Sequence, residues 1–150
     1  MRVVIQRVLS ASVTVNQDIV GQIERGLLIL VGFEETDSTI DYEWISKKII
    51  NLRIFNDENG VMNLNCHQVK GQILLVSQFT LYASTQKGNR PSYIKASKPE
   101  IAIEQYNTFH KLLSQEFNQD IPTGLFGAKM KVSLINDGPV TILIDSKAKE

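Results

Sequence analysis

Hydrophobic and polar positions along the first third of the chain follow the pattern of β-strands. Residues 3–8 form an apolar run with few interruptions, and residues 12–15 alternate between apolar and polar. A turn signal at 16–18 precedes the apolar stretch 19–23, so we predict a hairpin there. Residues 27–33 show no polar alternation, which predicts a central strand that is buried on both faces.

Helical spacing of apolar residues appears twice. Between positions 40 and 52 they recur every three or four residues, which predicts an amphipathic helix over about residues 39–51. The same spacing from Ala102 to Phe117 predicts a second helix. Ser97-Lys98-Pro99-Glu100 matches a capping box at its start, with a proline in the first turn, where the missing N–H costs little.

The C-terminal half of the chain returns to strand patterns. Residues 72–82 predict one strand, and residues 130–135 and 142–144 predict a closing pair. Asn136-Asp137-Gly138-Pro139 lies between that pair, and its ordinary interpretation is a hairpin corner. A second interpretation is a functional cis Gly138–Pro139 bond. Glycine there offers backbone carbonyls and no side chain, which gives a surface that can distinguish the two forms of a small chiral group. The sequence alone does not choose between them.

Together these elements predict one α+β domain over residues 1–150, with mostly antiparallel strands and two main helices. With 43% hydrophobic and 21% charged residues, the chain can bury a full core. No apolar run approaches the roughly 20 residues that cross a bilayer, and the charged N-terminus does not suit a signal peptide. The single cysteine, Cys66, fits a reducing compartment, so we expect a soluble cytoplasmic protein.

The distribution of charge says more about partners than its sum. The formal net charge is zero, which argues against nucleic-acid binding through charge excess alone. Residues 59–99 contain no Asp or Glu, while five basic residues fall there: Lys70, Lys87, Arg90, Lys95 and Lys98. Such a region can dock a polyanion locally, although a solvated loop of mixed charge accounts for the pattern equally well.

Conventional catalytic groups are scarce in this chain. Cys66 and His67 suggest a thiol–imidazole pair, but neighbours on an extended strand point to opposite faces and would need a turn to meet. No cluster of histidine, cysteine and carboxylate residues has metal-ligand spacing, and no phosphate-binding glycine loop is present. We therefore expect neither a metal nor a cofactor.

Ser77-Gln78-Phe79-Thr80 is the remaining catalytic candidate, because it follows a strand that we expect to be buried. Its hydroxyl, amide and backbone N–H groups can stabilise a developing oxyanion while water attacks. Ser77 or Thr80 can instead be a nucleophile, although neither has an evident base in the sequence. Plain polarity at the end of a strand is a further interpretation.

Two motifs resemble the paired signature of the D-aminoacyl-tRNA deacylases, formerly called D-tyrosyl-tRNA deacylases. They are Ser77-Gln78-Phe79-Thr80-Leu81-Tyr82-Ala83 and Asn136-Asp137-Gly138-Pro139-Val140-Thr141. Shorter matches along nearly the whole chain support them, among them Gln6-Arg7-Val8 and Phe126-Gly127-Ala128. The resemblance implies hydrolysis of the ester that joins a D-amino acid to the terminal adenosine of tRNA. It also implies that glycine attached to tRNA is a substrate and that no metal is required.

The resemblance further implies a barrel-like core and a homodimer whose active sites are completed across the interface. A cis Gly138–Pro139 pair enters the partner's pocket, faces Ser77 to Thr80 there and rejects L side chains. The resemblance also implies that catalysis relies on the terminal 2′-hydroxyl of the tRNA, which takes the place of the catalytic base that the sequence lacks. The resemblance assigns catalysis to Ser77, Gln78, Phe79 and Thr80, the chirality filter to Gly138 and Pro139, the substrate pocket to Phe126, Met130, Asn136 and Thr141, and tRNA binding to Lys87 and Arg90.

Two other classes of function stay open at this point. One is a non-catalytic RNA-binding module that uses the basic loop, which a deacylation assay would separate at once. The other is a serine or threonine esterase for small substrates, which would cleave an ester that lacks any RNA.

Overall fold

Seven strands, two α-helices and one 3₁₀ turn make up the described part of the chain, residues 1–149 of the computed structural model. In chain order they are β1 (Arg2–Val15), β2 (Asp18–Ile23), β3 (Gly26–Gly32), α1 (Thr39–Asn51), β4 (Phe55–Asn56), β5 (Met62–Leu64), β6 (Gln72–Ser77), the 3₁₀ turn (Phe79–Tyr82), α2 (Pro99–Phe117) and β7 (Lys131–Asp145). The predicted α+β class with two main helices is confirmed.

Strand β1 organises a five-stranded sheet that curls into a half-barrel. One edge of β1 pairs antiparallel with β3 and then with β2, and its other edge pairs antiparallel with β7. The predicted hairpin is present, because β1 turns into β2 through Asn16 and Gln17, both with positive φ. Strand β6 pairs with β3 in parallel, so the sheet is mixed.

Strand β3 is buried on both faces, as its unbroken apolar run predicts. Leu27 and Ile29 belong to the larger core cluster, which both helices cover. Leu28 points the other way and packs with Leu74 and Val8 inside the curl of the sheet. The carboxyl ends of β3 and β6 are therefore held between two packed layers, which makes them a rigid support for functional groups.

The two helices lie close to their predicted bounds. Helix α1 begins after Ser38, whose N–H donates to the Asp41 carboxylate at 2.9 Å. Helix α2 packs Phe109 edge-on against Phe33 after β3, with ring centroids 6.3 Å apart. Neither helix, among residues 1–149, has the length and apolar character to cross a membrane.

The predicted capping box at the start of α2 is wrong. Pro99 occupies the first turn as expected, but the helix begins at that residue, so Lys98 is the N-cap. Ser97 lies one position too early, and its N–H donates to the Phe33 carbonyl at 2.9 Å instead. A capping box needs the hydroxyl at the N-cap itself, and the proline moves that position along by one residue.

The predicted strand over residues 72–82 ends early, at Ser77. Its partner β3 supplies a last ladder pair between Val31 and Ser77, after which Gln78 donates its N–H to the Val31 carbonyl at 2.6 Å. The chain then turns, because Leu81 donates to the Gln78 carbonyl at 3.2 Å. The motif that follows β6 consequently lies on a 3₁₀ turn.

The predicted hairpin corner within residues 136–141 is also wrong. Strand β7 is continuous, and both of its apolar halves pair with the same partner, β1. Thr141 faces Gln6 and Asn136 faces Val8, so six residues of β7, 136–141, lie opposite three of β1. With its 14 residues, β1 is long enough to pair with both halves, and the polar stretch forms a bulge in the ladder.

Candidate active site

A cavity of about 720 Å³ opens where β3 and β6 end. Three segments line it besides β3: the end of β6 with the 3₁₀ turn, the loop that leads into α2, and residues 126–132 before and within β7. Its size lies within the usual range of ligand pockets, and its lining is mainly apolar with a few polar groups. Of the residues that the sequence singled out, it brings together Ser77, Gln78, Phe79, Phe126 and Met130.

The 3₁₀ turn presents hydrogen-bond donors beside this cavity. The first N–H groups of a helical turn have no acceptor within the turn, which leaves those of Phe79, which lines the cavity, and of Thr80, which does not, without a partner inside the turn. The Gln78 side-chain amide donates to the Thr80 hydroxyl oxygen. Since that oxygen accepts, the Thr80 proton remains free for another acceptor. These are the groups that can stabilise a negatively charged oxygen.

The cavity wall that Phe126 and Met130 form is supported by the residues on which they pack. The Phe126 ring lies 5.7 Å from the Tyr106 ring, and Tyr106 is anchored because its hydroxyl donates to the Leu75 carbonyl at 2.9 Å. Gly124 permits close packing of Met130, since a Cβ there would lie 2.5 Å from the Met130 sulfur. Burial raises the pKa of Tyr106, which is therefore a neutral structural support.

The predicted filter residues lie elsewhere on the protomer. Gly138 and Pro139 occupy the bulge in β7, are exposed and do not line the cavity, and the peptide bond between them is cis, as the resemblance implies. Asn136 and Thr141 flank the bulge and also lie outside the cavity of their own protomer. The Asn136 amide donates to the carbonyls of Arg7 and Val140, at 3.0 and 3.1 Å, and so ties the bulge to β1.

Arg7 is a functional candidate that the sequence did not single out for a role. Its buried guanidinium contacts the Asp137 carboxylate at 2.9 Å, donates to the Asp137 carbonyl at 3.1 Å and also donates to the Ile54 carbonyl. These contacts fix the bulge from beneath. The available signal was an arginine inside an apolar strand, because a charge at such a position requires buried partners.

Arg2 was missed in the same way and holds the 3₁₀ turn. Its guanidinium donates to the Asp145 carboxylate at 2.8 Å and to the Leu81 carbonyl at 3.0 Å, and lies 4.6 Å from the centre of the Tyr82 ring. Burial opposes ionisation of Asp145, but hydrogen bonds from Arg2 and the Lys147 backbone outweigh it and lower the pKa of that carboxyl. One side chain thus joins the cavity turn to the end of β7.

The thiol–imidazole interpretation of Cys66 and His67 is wrong. The thiol is fully buried, contacts the Gln72 carbonyl at 3.6 Å, and burial raises its pKa to about 12. The His67 ring packs edge-on against Phe117 instead. A thiol that stays protonated is a poor nucleophile. Among residues 1–149, no group of three or more histidine, cysteine and carboxylate side chains is placed to hold a metal ion.

The predicted tRNA-binding residues lie on the loop between the 3₁₀ turn and α2. Lys87 and Arg90 are exposed, and the loop that carries them closes through paired backbone bonds between Ser84 and Ser92, at 2.8 and 2.9 Å. The same loop continues into the cavity lining. Neither Lys87 nor Arg90 itself lines the cavity.

Comparison with known proteins shows the family to which the chain is similar. The family model for D-Tyr-tRNA(Tyr) deacylase matches residues 4–145. The D-aminoacyl-tRNA deacylase of Flavobacterium psychrophilum is 63% identical over 150 residues, which cover all of both chains. That of Bacteroides fragilis (strain YCH46) is 61% identical over 150 residues, again the whole of both chains.

Solved structures share the fold. The c-Myc DNA Unwinding Element Binding Protein superposes with a TM-score of 0.93 at 41% identity, over 99% of this chain and 100% of that one. A probable eukaryotic D-amino acid tRNA deacylase superposes with a TM-score of 0.81 over 95% of this chain and 97% of that one. Its identity of 16% makes the second likeness one of fold alone.

Proposed function

The chain belongs to the D-Tyr-tRNA(Tyr) deacylase family, and we propose that it hydrolyses the ester that joins a D-amino acid to the terminal adenosine of tRNA. The observation that carries this proposal is the cavity at the end of β6. Residues from two distant parts of the chain, Ser77 to Phe79 and Phe126 with Met130, line it together. An enzyme of this family is expected to use such a cavity to enclose the aminoacyl end of its substrate.

The chemistry rests on hydrogen-bond donors. The N–H groups of Phe79 and Thr80 bind the carbonyl oxygen of the ester and stabilise the negative charge that develops there as water attacks. The Thr80 hydroxyl, which accepts a hydrogen bond from Gln78, donates its proton toward the reacting oxygen atoms. No side chain in this group is a strong base. The 2′-hydroxyl of the terminal ribose therefore relays the proton that the attacking water loses to the ribose 3′-oxygen, which leaves as the ester bond breaks.

Chirality is controlled by the bulge in β7. Gly138 and Pro139 of one protomer enter the cavity of a second copy, where their carbonyls hold the substrate's amino group and block the direction of an L side chain. Overlap of atoms excludes a ligand more strongly than a missing contact does. Glycine carries no side chain to exclude, so glycyl-tRNA is hydrolysed as well. The contacts from Arg7 and Asn136 support this role, because a filter must be rigid.

A homodimer is the assembly that this filter needs. Strand β7 forms a 15-residue edge of the sheet, and on it Ile135 is 57% and Leu143 65% exposed. An unpaired strand edge with exposed apolar side chains is a surface on which another chain can pack. A second copy on this face would bring its bulge toward the cavity, with Asn136 and Thr141 flanking the substrate there. Lys87 and Arg90 meet the tRNA backbone, and the site of action is the cytoplasm, where tRNA is charged.

Hydrolysis of D-tyrosyl-tRNA by the purified protein tests the proposal, with a D-tyrosine ethyl ester as the matched substrate that lacks RNA. We expect rapid release of tyrosine from the tRNA alone. Binding of the tRNA without hydrolysis would contradict the proposal and favour a non-catalytic RNA-binding module. Equal hydrolysis of both esters would contradict it in favour of a small-molecule esterase.

A further inference from the structure

Three apolar side chains at the mouth of the cavity remain exposed. Phe79 is 57%, Tyr93 40% and Ile94 89% exposed, and all three line the cavity. The rings of Phe79 and Tyr93 meet edge to face, with centroids 5.1 Å apart. We call Phe79, Tyr93 and Ile94 the aromatic rim. An exposed apolar group at the entrance to a site marks a binding surface.

The aromatic rim is held in place before any ligand binds. Ser92 pairs through its backbone with Ser84, immediately before Tyr93. Ala96 donates its N–H to the Tyr93 carbonyl at 2.9 Å, and Ser97 donates to the Phe33 carbonyl at 2.9 Å. Rings that are already positioned lose little conformational freedom when a ligand stacks on them, so more of the stacking free energy contributes to the affinity for that ligand.

Charge around the aromatic rim favours a polyanion. Four exposed cations lie on the loop that also carries Tyr93 and Ile94, within the stretch 59–99, which contains no Asp or Glu; they are Lys87, Arg90, Lys95 and Lys98. Lys98 has a carboxylate neighbour, Glu35, at 3.7 Å, but both side chains are largely solvated and the pair is weak. Aromatic faces among backbone-contacting cations are the combination that binds single-stranded nucleic acid.

We propose that the aromatic rim is a stacking site for the base of the unpaired nucleotide that precedes the terminal adenosine of the tRNA. This rests on the proposed function, in which the terminal adenosine and its amino acid occupy the cavity between Ser77 and Met130. The RNA strand must then leave through the mouth, past Tyr93. Stacking there is indifferent to base identity and raises affinity without touching the ester.

Minimal substrates test the stacking site directly. D-alanine is attached to adenosine alone and to cytidylyl-adenosine, and both esters are assayed with the parent protein, Tyr93→Ala and Tyr93→Phe. We expect the second nucleotide to lower KM roughly tenfold for the parent protein and for Tyr93→Phe, which keeps the ring. Tyr93→Ala should lose that gain, so that its KM is nearly the same for the two esters. Ile40→Ala, on the exposed side of α1, is the matched control.

Each other outcome overturns the inference in a distinguishable way. If the second nucleotide lowers KM as much for Tyr93→Ala as for the parent protein, the Tyr93 ring does not stack on it. An effect of Tyr93→Ala on D-tyrosyl-adenosine but not on D-alanyl-adenosine would assign the aromatic rim to the amino-acid side chain. A change of mass in light scattering would assign it to a second copy of the chain. No hydrolysis of any ester by the parent protein would remove the proposed function as well.

Discussion

The direction of one hydrogen bond fixes what Thr80 can contribute. Gln78 donates to the Thr80 oxygen, which leaves the hydroxyl proton free to be donated to a substrate oxygen or to water. Among residues 1–149, no side chain accepts a hydrogen bond from this hydroxyl, so no base is in place to remove its proton and make it a nucleophile. The cavity therefore supports attack by water on an ester whose carbonyl is held by backbone N–H groups, rather than a covalent intermediate.

The first prediction concerns that hydroxyl. Thr80→Ala should lower kcat on D-tyrosyl-tRNA by about 10- to 100-fold, because a donor aimed at the reacting atoms is lost. Thr80→Ser keeps the donor and should retain most of the activity, which separates the hydroxyl from the methyl group. Rapid-quench kinetics measures both. An aminoacyl ester on Thr80 or Ser77, trapped in mass spectrometry, would contradict this role.

At the scale of elements, the 3₁₀ turn depends on a residue far away in the sequence. Arg2 contacts Asp145, Leu81 and Tyr82 together, so it sets the position of the turn that carries Phe79. Lysine keeps the charge but lacks the planar fork that reaches two acceptors at once. The turn would then lose one of its anchors without losing the surrounding core.

The second prediction follows from this anchor. Arg2→Lys should reduce kcat about tenfold with KM for D-tyrosyl-tRNA nearly unchanged, because the oxyanion donors shift while the tRNA contacts remain. Arg53→Lys is the matched control, since Arg53 donates to the Asn63 carbonyl at 2.8 Å, away from the cavity. If Arg2→Lys and Arg53→Lys lose thermal stability to the same extent and kcat does not fall selectively in Arg2→Lys, the positioning role of Arg2 is contradicted.

The third prediction concerns the start of α1 and acid stability. Burial opposes ionisation of Asp41, but hydrogen bonds from Lys147 and the Ser38 N–H outweigh it, so its pKa is lowered from 3.8. A carboxyl whose pKa is lower in the folded than in the unfolded state stabilises the fold at pH values above its unfolded-state pKa. This stabilisation is lost as the pH falls toward and through its folded-state pKa. The free energy of unfolding should therefore fall below about pH 5, and Asp41→Asn should flatten this fall.

Urea unfolding between pH 7 and pH 3 measures that dependence. Asp120→Asn serves as the control, because this carboxyl is exposed beyond the end of α2. Identical slopes for Asp41→Asn and the parent protein would contradict the contribution of the buried carboxylate.

Elements whose pattern is local were predictable from the sequence, and those set by a partner strand were not. The spacing of apolar residues located α1, and the unbroken run located β3. The bulge in β7 escaped prediction because both of its halves pair with β1, and no local signal reveals which strand a segment will join. The early end of β6 has the same cause, since its ladder with β3 stops at Ser77.

Across the whole molecule, the cavity and the Gly138–Pro139 bulge lie on different parts of the chain. Ser77 and Phe79 line the cavity, whereas Gly138 and Pro139 are exposed on the β7 bulge. The sequence motifs identified both groups, but their separation in space could not be derived from spacing along the chain. Arg2 and Arg7 were missed because their roles arise only from long-range contacts.

The fourth prediction tests the cross-subunit site through mixed dimers. Thr80→Ala and Gly138→Ala should each have little activity alone, and mixing them after mild dissociation should restore part of it. About half of the dimers are then mixed, and one of the two sites in each is intact, so about a quarter of the parental activity is expected. Activity no greater than the sum of the two separate variants would contradict a shared site.

The most direct measurement of the central claim is the rate of hydrolysis of matched D- and L-tyrosyl-tRNA by the parent protein and by Gly138→Ala. Within one copy of the chain, a Cβ at Gly138 would meet only the Asn136 side-chain oxygen, at 3.3 Å, so that side chain must shift by a few tenths of an ångström. A thermal stability equal to that of the parent protein would show that the bulge keeps its anchor, and a loss of activity would then report on the proposed filter. We expect the parent protein to hydrolyse the D ester alone, and Gly138→Ala to lose most of that activity. Unchanged rates on both esters in Gly138→Ala would contradict the account.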